Sequence, residues 1–175
     1  MRLPELLAPA GNLEKLEVAL AYGADAVYCG GKMFGLRAFS DNFDETELKA
    51  GIAAAHRAGK RVYVTVNIFP HNEDLKALPD YLKFLQDSKA DAAIISDLGV
   101  LRVARDAAPD LPLHISTQAN NTNWAAALMW RELGAERVVL AREISLEDIR
   151  IIRDKTGVEL EAFVHGAMCI SYSGR

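Results

Sequence analysis

The stretch Leu133-Gly-Ala-Glu-Arg-Val-Val-Leu140 decides the fold, because its arrangement occurs four times in this chain of 175 residues. Each copy has a helix-like segment that ends at a small or charged residue, followed by a short run rich in Val, Ile or Tyr. Glycine at positions 23, 59 and 134 is typical of a helix C-terminal cap, because glycine adopts a positive φ without a steric penalty. The recurrence predicts helices that alternate with parallel strands. The other three copies are Tyr22-Gly-Ala-Asp-Ala-Val-Tyr28, Ala58-Gly-Lys-Arg-Val-Tyr-Val64 and Lys89-Ala-Asp-Ala-Ala-Ile-Ile95.

Seven strands and six helices are predicted from the hydrophobic pattern. The β-rich runs hardly alternate between polar and apolar residues, as expected for strands that are covered on both faces. The strands are predicted at 5–9, 25–30, 61–67, 91–96, 112–117, 136–141 and 159–164, and the helices at 12–22, 45–58, 73–88, 99–107, 121–133 and 145–156. The predicted helix N-caps are Asn12, Asp44, Asn72 and Ser145, and Ser145-Leu-Glu-Asp148 resembles a capping box.

Two α/β architectures fit this alternation: an open doubly wound sheet and a (β/α) barrel of the TIM type. The segment Ala8-Pro-Ala-Gly-Asn12 lacks the G-x-G-x-x-G spacing that would favour the open sheet. We therefore predict a single (β/α)-barrel domain over residues 1–175. A closed barrel takes about 250 residues, so the barrel is expected to be incomplete at its C-terminal end. Polar residues that end the strands would converge on one mouth, namely Asn67, Asp97, Gln118, Arg142, Glu143 and His165.

Composition narrows the class of protein. Half of the residues are hydrophobic and a quarter are charged, as in a globular domain. Pro4, Glu5 and Pro9 interrupt the apolar core that a secretory signal needs, and no later run is long enough to span a bilayer, so we expect a cytoplasmic protein with no membrane partner. The two cysteines, Cys29 and Cys169, cannot form a disulfide framework. A net charge of −4 argues against a broad basic surface for nucleic acid.

Three residues at the predicted mouth are candidates for charged chemistry. His165 follows the seventh strand, where a neutral imidazole can move protons; the alternative is a hydrogen-bonded loop histidine. Arg142 can clamp a carboxylate or phosphate, and Glu143 can act as a base or as its orienting partner. For this pair the alternative is an ion pair that only braces the strand end.

Uncharged amides and one further arginine complete the candidate site. Asn67, Gln118 and Asn120 suit a polar ligand or an oxyanion, although amides are also common loop residues. Arg37 lies in the long connection after the second strand and is a candidate anion contact. The sequence contains no G-x-S-x-G, H-E-x-x-H or C-x-x-C motif, so motifs give no support to a hydrolase.

The C-terminal segment Glu161-Ala-Phe-Val-His-Gly-Ala-Met-Cys169-Ile-Ser-Tyr-Ser-Gly-Arg175 resembles the signature of the collagenase-like peptidase family. The signature places Glu, Phe, Gly, a small residue and Cys at these spacings. The resemblance continues through Glu5-Leu-Leu-Ala-Pro-Ala-Gly11, Gly23-Ala-Asp-Ala-Val-Tyr28, Val66-Asn67, Ser116-Thr-Gln-Ala-Asn120 and Ala141-Arg-Glu143. Tyr172, Pro70-His-Asn-Glu-Asp74 and Asn123-Trp124 are most similar to the branch that hydroxylates uridine in the tRNA anticodon loop.

The resemblance implies an enzyme, with two activities open. The first is formation of 5-hydroxyuridine in tRNA by the full-length protein; the second is hydrolysis by a collagenase-like peptidase. A non-catalytic binding barrel is a third hypothesis, of another class. The resemblance further implies that Cys169 is a ligand of an iron-sulfur cluster, with the other ligands beyond Arg175, and that prephenate is a ligand. No cofactor is therefore expected in this chain alone. The expected partners are a small anionic ligand, tRNA for the full-length protein, and further copies bound through an uncovered sheet edge.

Overall fold

Seven parallel strands and six α-helices alternate along the chain, as the sequence predicted. The computed structural model describes residues 3–35, 42–166 and 173, and these counts refer to them. The strands are β1 (Leu7–Pro9), β2 (Ala26–Gly30), β3 (Arg61–Val66), β4 (Ala92–Ile95), β5 (Leu113–Ile115), β6 (Arg137–Val139) and β7 (Glu159–Glu161). The helices are α1 (Leu13–Ala21), α2 (Glu45–Arg57), α3 (Asp74–Asp87), α4 (Leu98–Ala107), α5 (Trp124–Glu132) and α6 (Leu146–Thr156), and a 3₁₀ turn covers Thr117–Ala119.

The strands lie in the sheet in the same order as in the sequence, from β1 to β7, and every neighbouring pair is parallel. A doubly wound sheet would reverse its strand order at a switch point, whereas sequential order is that of a (β/α) barrel. A contact between distant strands shows that the sheet curls. The carboxylate of Glu5, before β1, lies 2.9 Å from the guanidinium of Arg137 on β6. The fold is therefore a curled half-barrel of the TIM type, and the barrel prediction is confirmed.

Both faces of the sheet are buried, which explains the nearly continuous apolar runs. Along β3, Val62 and Val64 pack against the helices in the main core, while Tyr63 points to the other face and packs with Ala26 and Ile94 inside the curl. Successive side chains of a strand point to opposite faces, so two apolar layers require an apolar residue at almost every position.

Short side chains fix where the helices begin. Asn12 and Asp44 are N-caps, as predicted: the side chain of Asn12 accepts a hydrogen bond from the backbone N–H of Lys15 at 2.9 Å, and Asp44 forms a capping box with Glu47, which was not predicted. Ser145 forms the predicted capping box as well. The prediction of Asn72 as a cap is wrong: α3 begins one residue later without a side-chain cap. No helix among the described residues is both long and apolar enough to cross a membrane.

The predicted glycine caps end their helices as expected. Gly23, Gly59 and Gly134 have φ values of 99°, 69° and 95°, in the region that residues with a Cβ avoid. Each glycine turns the chain from a helix into the next strand. The repeated local sequence thus sets the length of the turns that follow α1, α2, α3 and α5.

A charged cluster fills the inside of the curl at the amino ends of the strands. We call it the basal network: Arg137, Glu5, Tyr63, Glu159 and Glu161. The guanidinium of Arg137 contacts Glu5 and Glu159 at 2.9 Å and Glu161 at 3.2 Å, and its side chain is only 5% exposed. The hydroxyl of Tyr63 donates to Glu5 at 2.8 Å. These contacts join the beginning of the sheet to its last two strands.

Candidate functional site at the barrel mouth

A cavity of about 260 Å³ opens where the carboxyl ends of the strands meet. We call it the mouth cavity. Small residues of the first two strand ends, such as Pro9, Gly11 and Gly30, leave space for it. Parallel strands in a barrel carry their chemistry at this end, because every strand end directs its following loop there. The polar residues that line the cavity are Tyr28, Asn42, Thr65, Asn67, Ser116, Thr117, Gln118, Arg142 and Glu161.

Two of the predicted amides are held together at the cavity wall. The amide nitrogen of Asn67 donates to Oε1 of Gln118. The hydroxyl of Ser116 donates to the same oxygen at 3.0 Å. Because Oε1 accepts two hydrogen bonds, the side chain of Gln118 is fixed with its NH₂ group as the remaining donor. The amide pair is therefore suited to bind an acceptor oxygen of a ligand.

Arg142 supplies positive charge to the cavity. It is half-buried, and its guanidinium carbon lies 4.0 Å from the ring centroid of Phe163. Its backbone N–H donates to the hydroxyl of Ser173 at 2.9 Å. Stacking on an aromatic ring orients the planar guanidinium, whose fork of N–H donors matches a carboxylate. Among the described lining residues Arg142 is the one cation, so it is the candidate contact for a small anion.

Glu143 and His165 do not line the mouth cavity, so the expectation that they join the pocket is wrong. Glu143 is exposed, and its carboxylate accepts the backbone N–H of Ser173 at 2.7 Å. Burial would raise the pKa of Glu143, but hydrogen bonds from its own backbone and from Ser173 outweigh burial and hold the pKa below its usual value. His165 is exposed four residues beyond the end of β7. Their catalytic roles remain predictions.

The other predicted site residues are placed less favourably or lie outside the described part of the chain. Asn120 is exposed and ends the 3₁₀ turn with a left-handed φ of 54°, outside the cavity lining. Asp97, expected at the mouth, caps α4 by accepting the N–H of Val100 at 3.0 Å. Arg37 and Cys169 fall outside the described residues, so their predicted roles stay predictions.

The sequence analysis missed several residues of the cavity, above all Glu161. Glu161 lines the cavity, and its carboxyl contacts Arg137 of the basal network at 3.2 Å. Burial raises the pKa of Glu161, while the charge of Arg137 opposes that shift. The alternation of side chains along a strand could have predicted it. Residues two positions apart share a face, so Glu159 and Glu161 both point inward, where they contact Arg137.

The geometry offers a binding site more clearly than a hydrolytic centre. Cys29 is 3% exposed, and burial raises the pKa of its thiol to about 12, so it is not a nucleophile at neutral pH. The hydroxyl of Ser116 donates to Gln118 rather than to a base. The described lining residues contain no histidine. No cluster of three or more His, Cys, Asp or Glu suited to a metal ion occurs in the part of the chain that the structure describes.

Known proteins resemble this chain along nearly its whole length. The tRNA hydroxylation protein P1 of Bacillus subtilis is 51% identical over 172 residues, which are 98% of this chain and 41% of that protein. The tRNA hydroxylation protein P of Escherichia coli is 47% identical over 173 residues, which are 98% of this chain and 38% of that protein. The chain thus spans about two fifths of the length of these curated relatives.

The solved structure of a U32 peptidase has the same fold, with a TM-score of 0.75 at 18% identity, over 93% of this chain and 69% of that one. At that identity the likeness concerns the fold alone. The sequence pattern of peptidase family U32 matches residues 11–175 of this chain. This match confirms the family resemblance of the C-terminal signature, and the chain belongs to peptidase family U32.

Proposed function

We propose that this chain is the ligand-binding barrel of a protein that hydroxylates uridine in tRNA. The observation that carries the proposal is the 51% identity over 98% of the chain with a protein named for tRNA hydroxylation. The mouth cavity supports it, because its lining suits the binding of a small anion better than peptide hydrolysis. The family name alone favours a peptidase, and no nucleophile paired with a base lines the cavity among the described residues.

The ligand that we propose for the mouth cavity is a small carboxylate such as prephenate. Arg142 would bind its carboxylate through two parallel N–H···O bonds, and such charge-assisted contacts contribute roughly 1.5–3 kcal/mol in a partly buried site. The NH₂ group of Gln118, fixed by Asn67 and Ser116, would donate to a second ligand oxygen. The cavity of about 260 Å³ is slightly smaller than drug-sized sites and suits a compact metabolite.

The remaining partners of the whole protein are proposals as well. Cys169 lies four residues before Ser173 in the sequence, and Ser173 packs on the loop that carries Arg142. Cys169 is our proposed ligand of an iron-sulfur cluster, whose other ligands the described residues do not supply. The net charge of −4 means that tRNA would bind through a local basic patch. The sheet edges at β1 and β7 are the proposed contacts for further copies of the chain.

Genetic complementation tests the proposed function. The gene of the whole protein, placed in a strain that lacks its own tRNA uridine hydroxylation proteins, should restore 5-hydroxyuridine, measured by mass spectrometry of tRNA nucleosides. Arg142→Lys should lower the restored amount. Arg150→Lys is the matched control, because Arg150 is 62% exposed and pairs only with Glu147 among the described residues. Failure of the wild-type gene, together with inhibitor-resistant cleavage of gelatin by the pure protein, would favour the peptidase instead.

A further inference from the structure

Glu161 belongs to two regions of the molecule at once. Glu161 lines the mouth cavity, and its carboxyl contacts Nη1 of Arg137 in the basal network at 3.2 Å. The side chain is 17% exposed. A ligand that fills the cavity would therefore displace solvent beside this residue.

The basal network contains more carboxylates than cations. Glu5 is compensated by both Arg61 and Arg137, each at 2.9 Å, and by the hydroxyl of Tyr63. Glu159 contacts Arg137 at 2.9 Å and is 60% exposed, so water screens its charge. Two guanidinium groups thus face three carboxylates. Glu161 has the longest contact with Arg137 and little solvent, and its negative charge is the least compensated of the three.

The charged surroundings of Glu161 favour its neutral form. Burial is the largest cause that raises its pKa; Arg137 lowers the pKa, and Glu5 and Glu159 raise it further. An anion bound at Arg142 would add one more negative charge inside the same cavity of about 260 Å³. Among the described residues, the titratable or charged groups that line the cavity or contact the basal network are Glu5, Tyr28, Cys29, Arg61, Tyr63, His114, Arg137, Arg142 and Glu159.

We propose that Glu161 takes up one proton from solvent when a carboxylate ligand enters the mouth cavity, and that the neutral carboxyl then donates a hydrogen bond to the ligand. The proton returns to solvent when the ligand leaves. Glu161 is thus a residue that determines specificity: ionised, it repels an anion, and protonated, it binds one. This inference rests on the proposed carboxylate site at Arg142 and adds to it a coupling between ligand and proton.

Coupled uptake of one proton has a measurable consequence. Affinity for the carboxylate should fall as pH rises above the pKa of Glu161 in the free protein, by up to about tenfold per pH unit. The ligand carboxylates do not cause this trend, because they ionise at about pH 3–4 and stay charged throughout the neutral range.

Calorimetric titration of prephenate, and of phenylpyruvate as a stable monocarboxylate, tests the inference in two buffers of different ionisation enthalpy. The difference in apparent enthalpy gives the number of protons taken up per ligand bound. The wild-type chain should take up protons, and its affinity should fall as pH rises. Glu161→Gln should bind without proton uptake, with an affinity independent of pH.

Glu159→Gln is the matched control, because Glu159 also contacts Arg137 but does not line the mouth cavity. This variant should still take up protons on binding, but its affinity should fall at a lower pH than that of the wild type, because Glu159 raises the pKa of Glu161. Binding by the wild-type chain without proton uptake would overturn the inference, whether or not Glu161→Gln folds, and would leave the Arg142 site intact. Equal proton uptake in wild type and Glu161→Gln would overturn it too. If neither carboxylate binds at any pH, the Arg142 site itself is wrong.

Discussion

The two ends of the half-barrel use charge in opposite ways. At the amino ends of the strands, Arg137 is 5% exposed and is surrounded by carboxylates of the same chain. At the carboxyl ends, Arg142 is half-buried, stacks on Phe163 and lines a cavity. The basal network links β6 to the segment before β1 across the inside of the curl. The mouth leaves polar groups directed into space that a ligand can fill.

The difference separates stability from function within one fold. A buried charge that is paired inside the chain costs several kcal/mol when its partner is removed, because the remaining charge loses both solvent and partner. A partly exposed charge at a cavity keeps its water, so its removal costs little stability but removes a contact to the ligand. A substitution at the amino ends of the strands should therefore lower the free energy of unfolding, whereas a matched substitution at the carboxyl ends should weaken ligand binding.

Loss of Arg137 should have the largest effect on stability. Arg137→Met leaves Glu161 without its counter-charge inside the curl and Glu5 with Arg61 alone, and should lower the free energy of unfolding by about 3–5 kcal/mol. Arg142→Met, at the mouth, removes one cation–π contact and should cost less than about 1 kcal/mol. Urea unfolding followed by circular dichroism measures both values. If both variants lost a similar free energy of unfolding, the two ends of the half-barrel would not differ in their contribution to stability.

Acid should destabilise the interior of the curl through His114. This imidazole is 4% exposed and packs edge-on against Tyr63 with 4.7 Å between ring centroids. Burial, with the nearby charges of Arg137 and Arg61, lowers the pKa of His114 to about 3 from its ordinary value of 6.5. Because the folded-state pKa is lowered, the stabilisation is complete above pH 6.5 and is lost as pH falls toward 3.

The expected loss from His114 is about 1.4 kcal/mol per pH unit between those limits. Unfolding free energies of wild type and His114→Phe at pH 6.5, 5.5 and 4.5 isolate it, since other groups titrate equally in both proteins. The free energy of unfolding of the wild type, minus that of His114→Phe, should fall as pH falls. A value that stays constant would mean that His114 binds its proton as readily in the folded protein as in the unfolded chain.

A smaller effect distinguishes two hydroxyls on the inner face of β3. Tyr63 donates to the carboxylate of Glu5 at 2.8 Å, whereas Thr65 donates to the backbone oxygen of Cys29 at 3.2 Å, nearer the mouth. Tyr63→Phe should lower the free energy of unfolding by about 1.5 kcal/mol, because hydrogen bonds to charged groups are the stronger class. Thr65→Val should cost about 0.5 kcal/mol. The reverse order in thermal or urea unfolding would contradict the comparison.

Local sequence was sufficient to predict the elements of the fold. Each predicted strand overlaps its observed strand, because glycine caps and apolar runs are set by neighbouring residues. The cap at Asn72 failed for a local reason as well. The carboxylate of Asp74 accepts the N–H of His71 at 2.7 Å and holds the entry to α3 without Asn72.

The site was predicted only in part, because the position of a residue after a strand does not determine where its side chain points. Asn67, Gln118 and Arg142 line the mouth cavity as expected, whereas Glu143, the next residue after Arg142, turns to Ser173. Glu161 was missed as a site residue because its role depends on contacts between distant parts of the chain. Its partner Arg137 is tied to Glu5, 132 residues away in the sequence. No periodic pattern encodes such a contact.

The most direct test of the account is the affinity of the mouth cavity for a carboxylate with and without the planar guanidinium. Calorimetric titration of prephenate into wild type and Arg142→Lys measures it, with circular dichroism to show that both are folded. Lysine keeps the charge but loses the two parallel hydrogen bonds, so binding should weaken by about tenfold, or about 1.4 kcal/mol. Equal affinities in the two folded proteins would contradict the anchor role of Arg142 and, with it, the mouth cavity as the anion site.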